Sequence, residues 1–363
     1  MSRRYLLIRL TALGDIIFAL EAFAALRAAD PEAEIDWVVE DRWQTILGAR
    51  PDLGRAIIYP RRLLQRALLR PWLWPKAVLA LWAHCRELRR TRYDALLELQ
   101  GNLKGGLHAL LAKATRKIGF AGPRARELSW LFVQERVAVG RPRPHRVREG
   151  LQLVEQLLGK QGLQPSQQPL LPRSEASAAY LAEWLQQQFG TTPSQLVVLA
   201  PGTSVFAAFK RWPAARFAEL AKALLAEGRQ VVISAGPGEE ALAEACGALR
   251  GPAPGRPILF AGGEHGLPVF LELLRRARIV VAADSAPLHL AQATGTAVVG
   301  LFGPKDPSVY GPWRQPAILR RYPAACAPCG RRDCALPICV QGIPSEAVLE
   351  SLRQLAPMEG SEE

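Results

Sequence analysis

The sequence predicts an α/β protein made of two doubly wound parallel sheets. Apolar runs typical of buried strands alternate with helical segments, first over residues 6–99 and again over residues 196–301. A stretch rich in Gln, Pro and Ser at residues 162–173 separates the two series and is typical of a linker. Because 363 residues exceed what one hydrophobic core usually serves, we expect two domains.

The first series begins with a strand at residues 6–10, followed by a turn at Gly14. Apolar residues then recur at the 3.6-residue period of a helix, which Asp30-Pro31 stops. The N-terminus does not predict a signal peptide, because Arg9 interrupts its apolar run and Asp15 follows too soon. We therefore expect a cytoplasmic protein. Further strands are predicted at residues 35–39, 56–59 and 93–99.

The second series starts with a strand at residues 196–200 and continues with a helix at residues 213–226, which Pro213 begins. Further strands are predicted at residues 231–234, 279–283 and 297–301. In sheets of this kind, ligands bind beyond the carboxyl ends of the strands. Functional residues are therefore expected directly after strands and around a cleft between the two halves.

The formal net charge of +13 is concentrated in the first half. Residues 61–148 contain 20 lysines and arginines against five aspartates and glutamates, and the rest of the chain is close to neutral. Such a field attracts nucleic acid, an anionic membrane surface, or a phosphorylated or carboxylated substrate; the alternative is a solvated basic face. Trp72, Trp74 and Trp82 lie among the basic residues, which suits a lipid headgroup interface or a helix packed on the sheet.

Common nucleotide-binding motifs are absent from the sequence. It has neither a G-x-G-x-x-G segment after a strand nor a G-x-x-x-x-G-K-[ST] loop, and no D-x-D pair stands at a strand end. A nucleotide would therefore be held by backbone amides and cationic side chains.

Candidate phosphate ligands follow the strand at residues 196–200. Thr203 and Ser204 lie in a loop of small residues between a strand and a helix, where backbone N–H groups and hydroxyls can approach phosphate oxygens. Lys210 precedes the next helix and could neutralise charge on a departing nucleotide. The alternative is a solvated lysine.

A second cluster of candidates follows the strand at residues 279–283. Asp284 stands at the strand end, Ser285 and Ala286 open a helix, and His289 lies about one turn later. The unpaired amides and the dipole of a helix start favour anions. The alternative is that Asp284 simply caps this helix.

Asp15 is the candidate acid of the first half. It follows the turn between the first strand and the first helix. A carboxylate at this place could take the proton from an attacking hydroxyl, as a general base does. The alternative is a helix-capping aspartate.

In order along the chain, these segments resemble glycosyltransferase family 9, the ADP-heptose:lipopolysaccharide heptosyltransferases. The resemblance covers nearly the whole chain. It implies a GT-B fold, in which two Rossmann-like domains face a cleft, and inversion at the anomeric carbon without a metal. The motifs are Ile8-Arg9-Leu10-Thr11-Ala12-Leu13-Gly14-Asp15, Asp36-Trp37-Val38-Val39-Glu40, Tyr93-Asp94 with Gln100-Gly101 and Lys104, Pro201-Gly202-Thr203, Lys210-Arg211-Trp212-Pro213, Asp284-Ser285 with His289, and Leu301-Phe302-Gly303-Pro304 with Asp306-Pro307.

The resemblance also implies domains and roles. The expected divisions are an acceptor-binding domain at 1–165, a linker and domain start at 166–190, a nucleotide-sugar domain at 191–345, and a helix and tail at 346–363 that return to the first domain. Asp15 matches the catalytic base, and Lys210 matches a residue that stabilises the leaving ADP. Glu240 matches the residue that holds the ribose. The donor-binding positions are Thr203, Ser204, Lys210, Glu240, Asp284, Ser285, Ala286 and His289.

Within the family, residues 36–40 and 93–101 are most similar to the heptosyltransferase I branch, which adds heptose to the Kdo of the inner core. The implied donor is ADP-heptose, and the implied acceptor is Kdo-lipid A or similar anionic lipopolysaccharide at the inner leaflet of the inner membrane. A peripheral protein with no nucleic-acid partner and no catalytic cofactor is expected. Arginine matches carboxylates and phosphates, so the expected acceptor contacts are Arg61, Arg62, Arg124 and Arg126.

Four cysteines form a C-x2-C-x4-C-x4-C cluster: Cys326, Cys329, Cys334 and Cys339. In a reducing cytoplasm, the cluster indicates either a structural zinc or iron site or free thiols, with disulfides as a third possibility. It resembles the heptosyltransferase II branch, so the chain combines features of two branches. The alternative functions are heptosyltransferase II, a protein heptosyltransferase and, more remotely, a non-enzymatic binder of nucleic acid or lipopolysaccharide.

Overall fold

The computed structural model describes residues 2–48, 50–331 and 333–357. They divide into two compact units, Met1–Pro172 and Arg173–Glu363. Each unit contains a parallel sheet of six strands with helices around it. The predicted α/β class with two parallel sheets is therefore confirmed. No helix within the described ranges is both long enough and apolar enough to cross a bilayer.

The sheet of the first unit has the strand order β3-β2-β1-β4-β5-β6. The order changes direction between β1 and β4, so a ligand site is expected beyond their carboxyl ends. The strands are β1 (Arg4–Ile8), β2 (Glu34–Glu40), β3 (Ala56–Tyr59), β4 (Arg92–Glu98), β5 (Lys113–Ala121) and β6 (Glu135–Ala138). The helices are α1 (Leu13–Ala29), α2 (Gln44–Leu47), α3 (Arg61–Leu69), α4 (Trp74–Arg90), α5 (Leu103–Leu111) and α6 (Arg146–Leu158), with short 3-10 helices at Pro71–Leu73, Gly122–Arg124 and Ser129–Phe132.

Polar side chains join β2 to the residue before β3 and to β4 inside this unit. Nη2 of Arg55 lies 2.5 Å from Oδ2 of Asp36, and the hydroxyl of Tyr93 donates to the same oxygen at 2.7 Å. Asp36 is fully buried and pairs in the sheet with Leu6, well before the carboxyl ends of the strands. The buried carboxylate is therefore compensated by a charge and a hydrogen bond, as burial requires.

The second unit repeats the arrangement, with the strand order β12-β11-β10-β7-β8-β9. Its order changes direction between β7 and β10. The strands are β7 (Leu196–Ala200), β8 (Gln230–Ala235), β9 (Ile258–Ala261), β10 (Ile279–Ala283), β11 (Ala297–Phe302) and β12 (Ala317–Arg321). The helices are α7 (Glu175–Phe189), α8 (Ala214–Ala226), α9 (Glu240–Ala245), α10 (Gly262–Arg276), α11 (Ala286–Thr294), α12 (Pro307–Tyr310), α13 (Ile338–Gln341) and α14 (Ser345–Leu355), with a 3-10 helix at Val205–Lys210.

The C-terminal helix α14 packs within the second unit, against α8, β11 and β12. Val348 and Leu352 are fully buried in the core of this unit, and Arg353 lies 2.6 Å from Glu227. The apolar face of the helix is thus used within the second unit, and the expected return of residues 346–363 to the first domain stays a prediction. Residues 358–363 of the expected tail lie outside the described residues.

Two histidines are buried side by side in the first unit, where α4 and α5 pack. The ring centroids of His84 and His108 are 5.1 Å apart, and each side chain is 5% exposed. Nδ1 of His108 lies 2.7 Å from the Lys104 carbonyl oxygen. Burial lowers the pKa of His108 to about 4 and also lowers the pKa of His84. Both rings are therefore neutral in the folded protein near neutral pH.

Acid is expected to destabilise the protein through His108. The unfolded chain takes up a proton on this residue near pH 6.5, whereas the folded chain takes it up near pH 4. The stabilisation is therefore present above pH 6.5 and lost as the pH falls toward 4, and the free energy of unfolding should fall by about 2 kcal/mol between about pH 7 and about pH 5. His108→Asn keeps a side-chain N–H near the Lys104 carbonyl and removes the titration. Urea denaturation at both pH values measures the difference, and equal pH dependence of both proteins would contradict the assignment.

Candidate active site

Hydrogen bonds join the loops that follow β1 and β4. Oε1 of Gln100 accepts from the backbone N–H groups of Leu10 and Thr11 at 3.0 and 3.3 Å. Arg9 donates from Nη1 to a backbone carbonyl of the β4 loop at 2.5 Å. These bonds fix the backbone from which α1 begins, and they position Asp15 in the first turn of that helix.

Asp15 is held between two arginines. Its Oδ2 lies 2.6 Å from Nη2 of Arg9, and its Oδ1 lies 2.8 Å from Nη2 of Arg146 in α6. Burial alone would raise the pKa of Asp15. The two guanidinium groups lower this pKa by more than burial raises it, so it lies well below its ordinary value. The side chain is 28% exposed, so an ionised carboxylate reaches solvent. The N-cap of α1 is Ala12, which removes the helix-capping alternative for Asp15.

Arg124, predicted to contact the acceptor, is buried in a small pocket that Asp15 also lines. Its Nε lies 2.9 Å from Oε2 of Glu149. Its two Nη atoms donate to the carbonyls of Leu99 and Gln100, each at 3.1 Å. Its donors are thus used inside the protein. The residue supports the pocket rather than presenting its guanidinium to solvent.

The other three predicted acceptor arginines lie at the same edge of the sheet as Asp15. Arg61 and Arg62 begin α3 directly after β3, and Arg126 follows β5. Because all the strands are parallel, their carboxyl ends share one edge. Arg62 and Arg126 are exposed, and Arg61 is half-buried. The structure therefore brings these residues to the expected edge of the sheet.

In the second unit, Lys210 and Asp284 form an ion pair between the loops that follow β7 and β10. Nζ of Lys210 lies 2.5 Å from Oδ2 of Asp284 and 3.4 Å from its carbonyl oxygen. Nε2 of His289 lies 3.5 Å from the other carboxylate oxygen. Burial alone would raise the pKa of Asp284. His289 and Lys210 together lower this pKa by more than burial raises it, so it lies below its ordinary value. The ionised carboxylate therefore holds the ammonium group at the point where the strand order changes direction.

The N-terminus of α11 lies next to this ion pair. Ser285 is the N-cap, but its side chain makes no capping bond, and its buried Oγ has no hydrogen-bond partner among the described residues. Asp284 does not cap the helix, since its carboxylate pairs with Lys210. The first amides of a helix, including that of Ala286, lack intrahelical acceptors, and the dipole is positive at this end. Amides, a hydroxyl and an ammonium, the groups from which proteins build anion sites, thus lie close together at this helix end.

Thr203 and Ser204 lie in the loop between β7 and the 3-10 helix Val205–Lys210. The hydroxyl of Thr203 donates to the carbonyl of Ala207 at 3.1 Å and accepts from Nε of Arg211 at 3.0 Å. Arg211 also donates to the Thr203 carbonyl at 3.0 Å. Thr203 is buried and Ser204 is exposed. Thr203 therefore stabilises the conformation of the loop, and Ser204 is available to a ligand.

Glu239 lies against this loop, whereas the sequence pointed to Glu240. Its Oε2 accepts from the backbone N–H of Gly236 at 3.1 Å, and its Oε1 lies 3.7 Å from Nη2 of Arg211. A Cβ at Gly202 would stand 2.0 Å from Oε2, so glycine at that position permits the approach. Glu240 instead accepts from a backbone N–H of the turn before α9 at 3.3 Å.

The sequence did not predict Arg9, Arg146 and Glu239 as site residues. Arg9 carries a recognisable pattern, because a charged residue directly follows an apolar strand. Arg146 carries none, since 131 residues separate it from Asp15. The neighbouring acids at 239 and 240 are alike in sequence, and only the turn geometry distinguishes them.

The four clustered cysteines carry free thiols. Cys326 and Cys329 are exposed, Cys334 is half-buried, and Cys339 is buried in α13. Across the described residues, no three His, Cys, Asp or Glu side chains gather closely enough to hold a metal ion. A structural zinc or iron site, one of the alternatives for this cluster, is therefore not shown among the described residues. Cys339 points into the second unit, where a Cβ at Gly303 would lie 3.0 Å from its Sγ, while the other cysteines remain in a surface loop.

Known proteins are similar to this chain in sequence and in fold. The profile described as "Glycosyltransferase family 9 (heptosyltransferase)" matches residues 81–339. Lipopolysaccharide heptosyltransferase 1 of Pseudomonas aeruginosa is 27% identical over 336 residues, covering 91% of this chain and 87% of that protein. Lipopolysaccharide heptosyltransferase 2 of Escherichia coli is also 27% identical, over 313 residues, covering 82% of each chain.

Among solved structures, that of the E. coli heptosyltransferase WaaC with ADP matches with a TM-score of 0.75 at 23% identity. The match covers 97% of this chain and 100% of that chain. At this identity the likeness bears on the fold, and it confirms the expected GT-B class.

Proposed function

The chain belongs to glycosyltransferase family 9 and is a heptosyltransferase of lipopolysaccharide core, and we propose that it transfers heptose from ADP-heptose to Kdo. The observation that carries the donor assignment is the ammonium of Lys210, which Asp284 holds beside the N-terminus of α11. A fixed cation and free helix amides, placed where the strand order changes direction, suit the diphosphate of a nucleotide sugar. The solved WaaC relative contains ADP.

The diphosphate of the donor binds at the start of α11. The unpartnered hydroxyl of Ser285 and the amide of Ala286 donate to phosphate oxygens, and Ser204 adds a hydroxyl from the facing loop. Lys210 neutralises the charge that develops on the departing ADP. Asp284 and His289 act through Lys210, because they hold its ammonium group in place.

Glu239 binds the ribose of the donor in this assignment. Its carboxylate lies against the loop that contains Gly202 and is 23% exposed, so it can accept hydrogen bonds from ribose hydroxyls. The backbone N–H of Gly236 donates a hydrogen bond to this carboxylate and holds it in place. Glu239 therefore takes the role that the sequence suggested for Glu240.

Asp15 accepts the proton of the acceptor hydroxyl. The hydroxyl oxygen then forms a bond to the anomeric carbon of the heptose, while the bond from that carbon to the diphosphate oxygen breaks. The electron pair of the broken bond leaves with ADP, and the configuration at the anomeric carbon is inverted.

The two arginines around Asp15 favour an acceptor that carries a carboxylate. With Arg9 and Arg146 paired to it, Asp15 has a lowered pKa and is a weak base. An acceptor carboxylate that draws Arg146 toward itself weakens one ion pair and raises the pKa of Asp15. Kdo has such a carboxylate next to its ring, so this acceptor would activate its own base.

A second candidate acceptor is the first heptose of the core, as for heptosyltransferase 2. It is favoured by the cysteine-rich stretch, while the 27% identity that the chain shares with relatives of both kinds favours neither acceptor. The two candidates differ only in the sugar that receives the heptose. Assays with Kdo-lipid A and with heptosyl-Kdo-lipid A distinguish them.

The donor assignment is tested by nucleotide binding and by transfer. ADP is expected to raise the melting temperature of the protein, whereas UDP and GDP should not, because a specific ligand stabilises by mass action. Glu239→Gln should weaken ADP binding about tenfold through the loss of a charged hydrogen-bond acceptor. Glu240→Gln is the matched control and should bind ADP as the wild type does.

Transfer is measured with ADP-heptose and Kdo-lipid A. Equal stabilisation by all three nucleotides would contradict the donor assignment. A loss of ADP binding in Glu240→Gln but not in Glu239→Gln would restore the role that the sequence gave to Glu240. Heptose incorporation into heptosyl-Kdo-lipid A alone would replace the Kdo assignment by the second candidate.

A further inference from the structure

An exposed apolar surface runs along α3, the 3-10 helix Pro71–Leu73 and α4. We name it the tryptophan surface. Most of its members leave well over half of their side chain in water, although α4 buries Ala77, His84 and Leu88 on its opposite side. A contiguous apolar surface of this kind marks an interaction site. Its members are Leu68 (82% exposed), Leu69 (84%), Trp72 (71%), Trp74 (60%), Val78 (65%), Leu79 (65%) and Trp82 (59%).

Contacts between α3 and α4 hold the tryptophan surface in a defined conformation. Nε1 of Trp74 donates to the carbonyl of Ala67 at 2.9 Å, which ties the start of α4 to α3. Trp74, Val78 and Trp82 follow one another at four-residue spacing, so they lie along one side of α4. The guanidinium of Arg86 lies 5.2 Å from the ring centroid of Trp82 and continues this row.

Cations surround the tryptophan surface. Residues 61–86 contain six lysines and arginines and no aspartate or glutamate. Arg66, Arg70 and Lys76 are exposed beside the apolar side chains. This charge distribution complements an anionic partner. It opposes pairing of two copies of this chain through the same surface, because that would bring like charges together.

We propose that the tryptophan surface docks the protein onto an anionic lipid bilayer. Tryptophan rings occupy the headgroup region, where one side of the ring is apolar and the other is wet, and lysine and arginine pair with lipid phosphates. Helix α3, whose last residues open the surface, begins directly after β3 at the sheet edge that carries Asp15, so docking brings that edge toward a lipid-anchored acceptor. The inference goes beyond the proposed function, since lipid binding requires neither donor nor acceptor sugar.

Vesicle sedimentation without nucleotide sugar tests this inference. The wild type should bind vesicles of phosphatidylethanolamine and phosphatidylglycerol, and should bind vesicles of phosphatidylcholine alone far more weakly. The triple variant Trp72→Gln, Val78→Gln and Trp82→Gln should bind the anionic vesicles more than about tenfold more weakly, because the inserted apolar area is lost. Leu336→Gln is the matched control; Leu336 is 68% exposed in the second unit, and its replacement should change nothing.

A charge variant tests the electrostatic part separately. Arg66→Gln, Arg70→Gln and Lys76→Gln together should weaken binding to anionic vesicles about a hundredfold, and added salt should weaken the wild type in the same direction. Circular dichroism and heptose transfer to a soluble Kdo glycoside should remain as in the wild type for both variants, which excludes misfolding.

Two results would overturn the inference. One is equal vesicle binding by the wild type and the apolar triple variant. The other is a wild type that does not bind vesicles and forms an oligomer, together with a triple variant that is monomeric. That result would assign the surface to a second copy of the chain. A protein that binds anionic vesicles as expected but transfers no heptose would leave this inference supported and refute the proposed function.

Discussion

Asp15→Asn is expected to lower kcat for heptose transfer by about 10²–10⁴-fold, the usual contribution of a general base. Asparagine keeps the shape of the side chain but cannot take the proton of the acceptor hydroxyl. ADP binding should stay within about twofold of the wild type, because Asp15 belongs to the acceptor half of the reaction. Single-turnover transfer and ADP titration measure the two effects separately.

The same substitution removes the charged partner of Arg9, whose side chain is 4% exposed. Breaking a fully buried ion pair costs about 3–5 kcal/mol, and the cost is smaller here because Asp15 reaches solvent. Asp36→Asn provides the matched control. It removes the partner of Arg55 inside the sheet, far from the carboxyl ends, so it should lower the free energy of unfolding without lowering kcat of the folded protein.

The base assignment would be wrong if Asp15→Asn transferred heptose at the wild-type rate. A fall in kcat of the same size in Asp36→Asn would show that both variants act through stability. The pH profile gives an independent readout. Removal of a titrating base changes the acid limb of kcat, whereas a purely structural loss leaves the shape of the profile unchanged.

Lys210→Ala has the second large expected effect, a fall in kcat of about 10²–10³-fold together with weaker ADP binding. The ammonium is the fixed positive charge that Asp284 holds beside α11, so its loss leaves the charge on departing ADP uncompensated. Lys210→Arg should recover part of the activity, since the charge returns with a different geometry. Transfer kinetics and ADP titration measure both quantities.

Lys222→Ala is the control for this substitution, because Lys222 is an exposed lysine of α8. It should match the wild type in both assays. A Lys210→Ala variant with unchanged kcat and ADP affinity would remove Lys210 from the donor site and with it the main support for a diphosphate at the start of α11.

The central strands were predictable because their sequences are continuous apolar runs. β7 and β10 occupy the predicted residues, and β3 does as well. β5 was not predicted, since Lys113, Arg116 and Lys117 break its apolar pattern. Helix α3 was not predicted, and α4 was named only as one of two alternatives for the tryptophan segment, because its tryptophans lie on the exposed side and give no period that points to a core.

The candidate site was predictable where residues directly follow strands. Asp284 and Ser285 were named on that basis and Lys210 from its place before the next helix, and the structure gathers the three in one place. The contacts of Asp15 were not predictable, because Arg146 comes from a helix distant in sequence. The burial of Arg124 and the different exposures of the four cysteines depend on tertiary packing, which local sequence does not encode.

The amide of Gln100 has a consequence for substitutions outside both substrate sites. Since Oε1 of Gln100 accepts hydrogen bonds from the N–H groups of both Leu10 and Thr11, the β4 loop and the start of α1 are mechanically coupled. A shift of either loop is passed to the other, and displacements of about 1 Å at a reacting group change rates about a hundredfold. Residues that touch only the β4 loop can therefore tune catalysis remotely, through the position of Asp15 rather than through its chemistry.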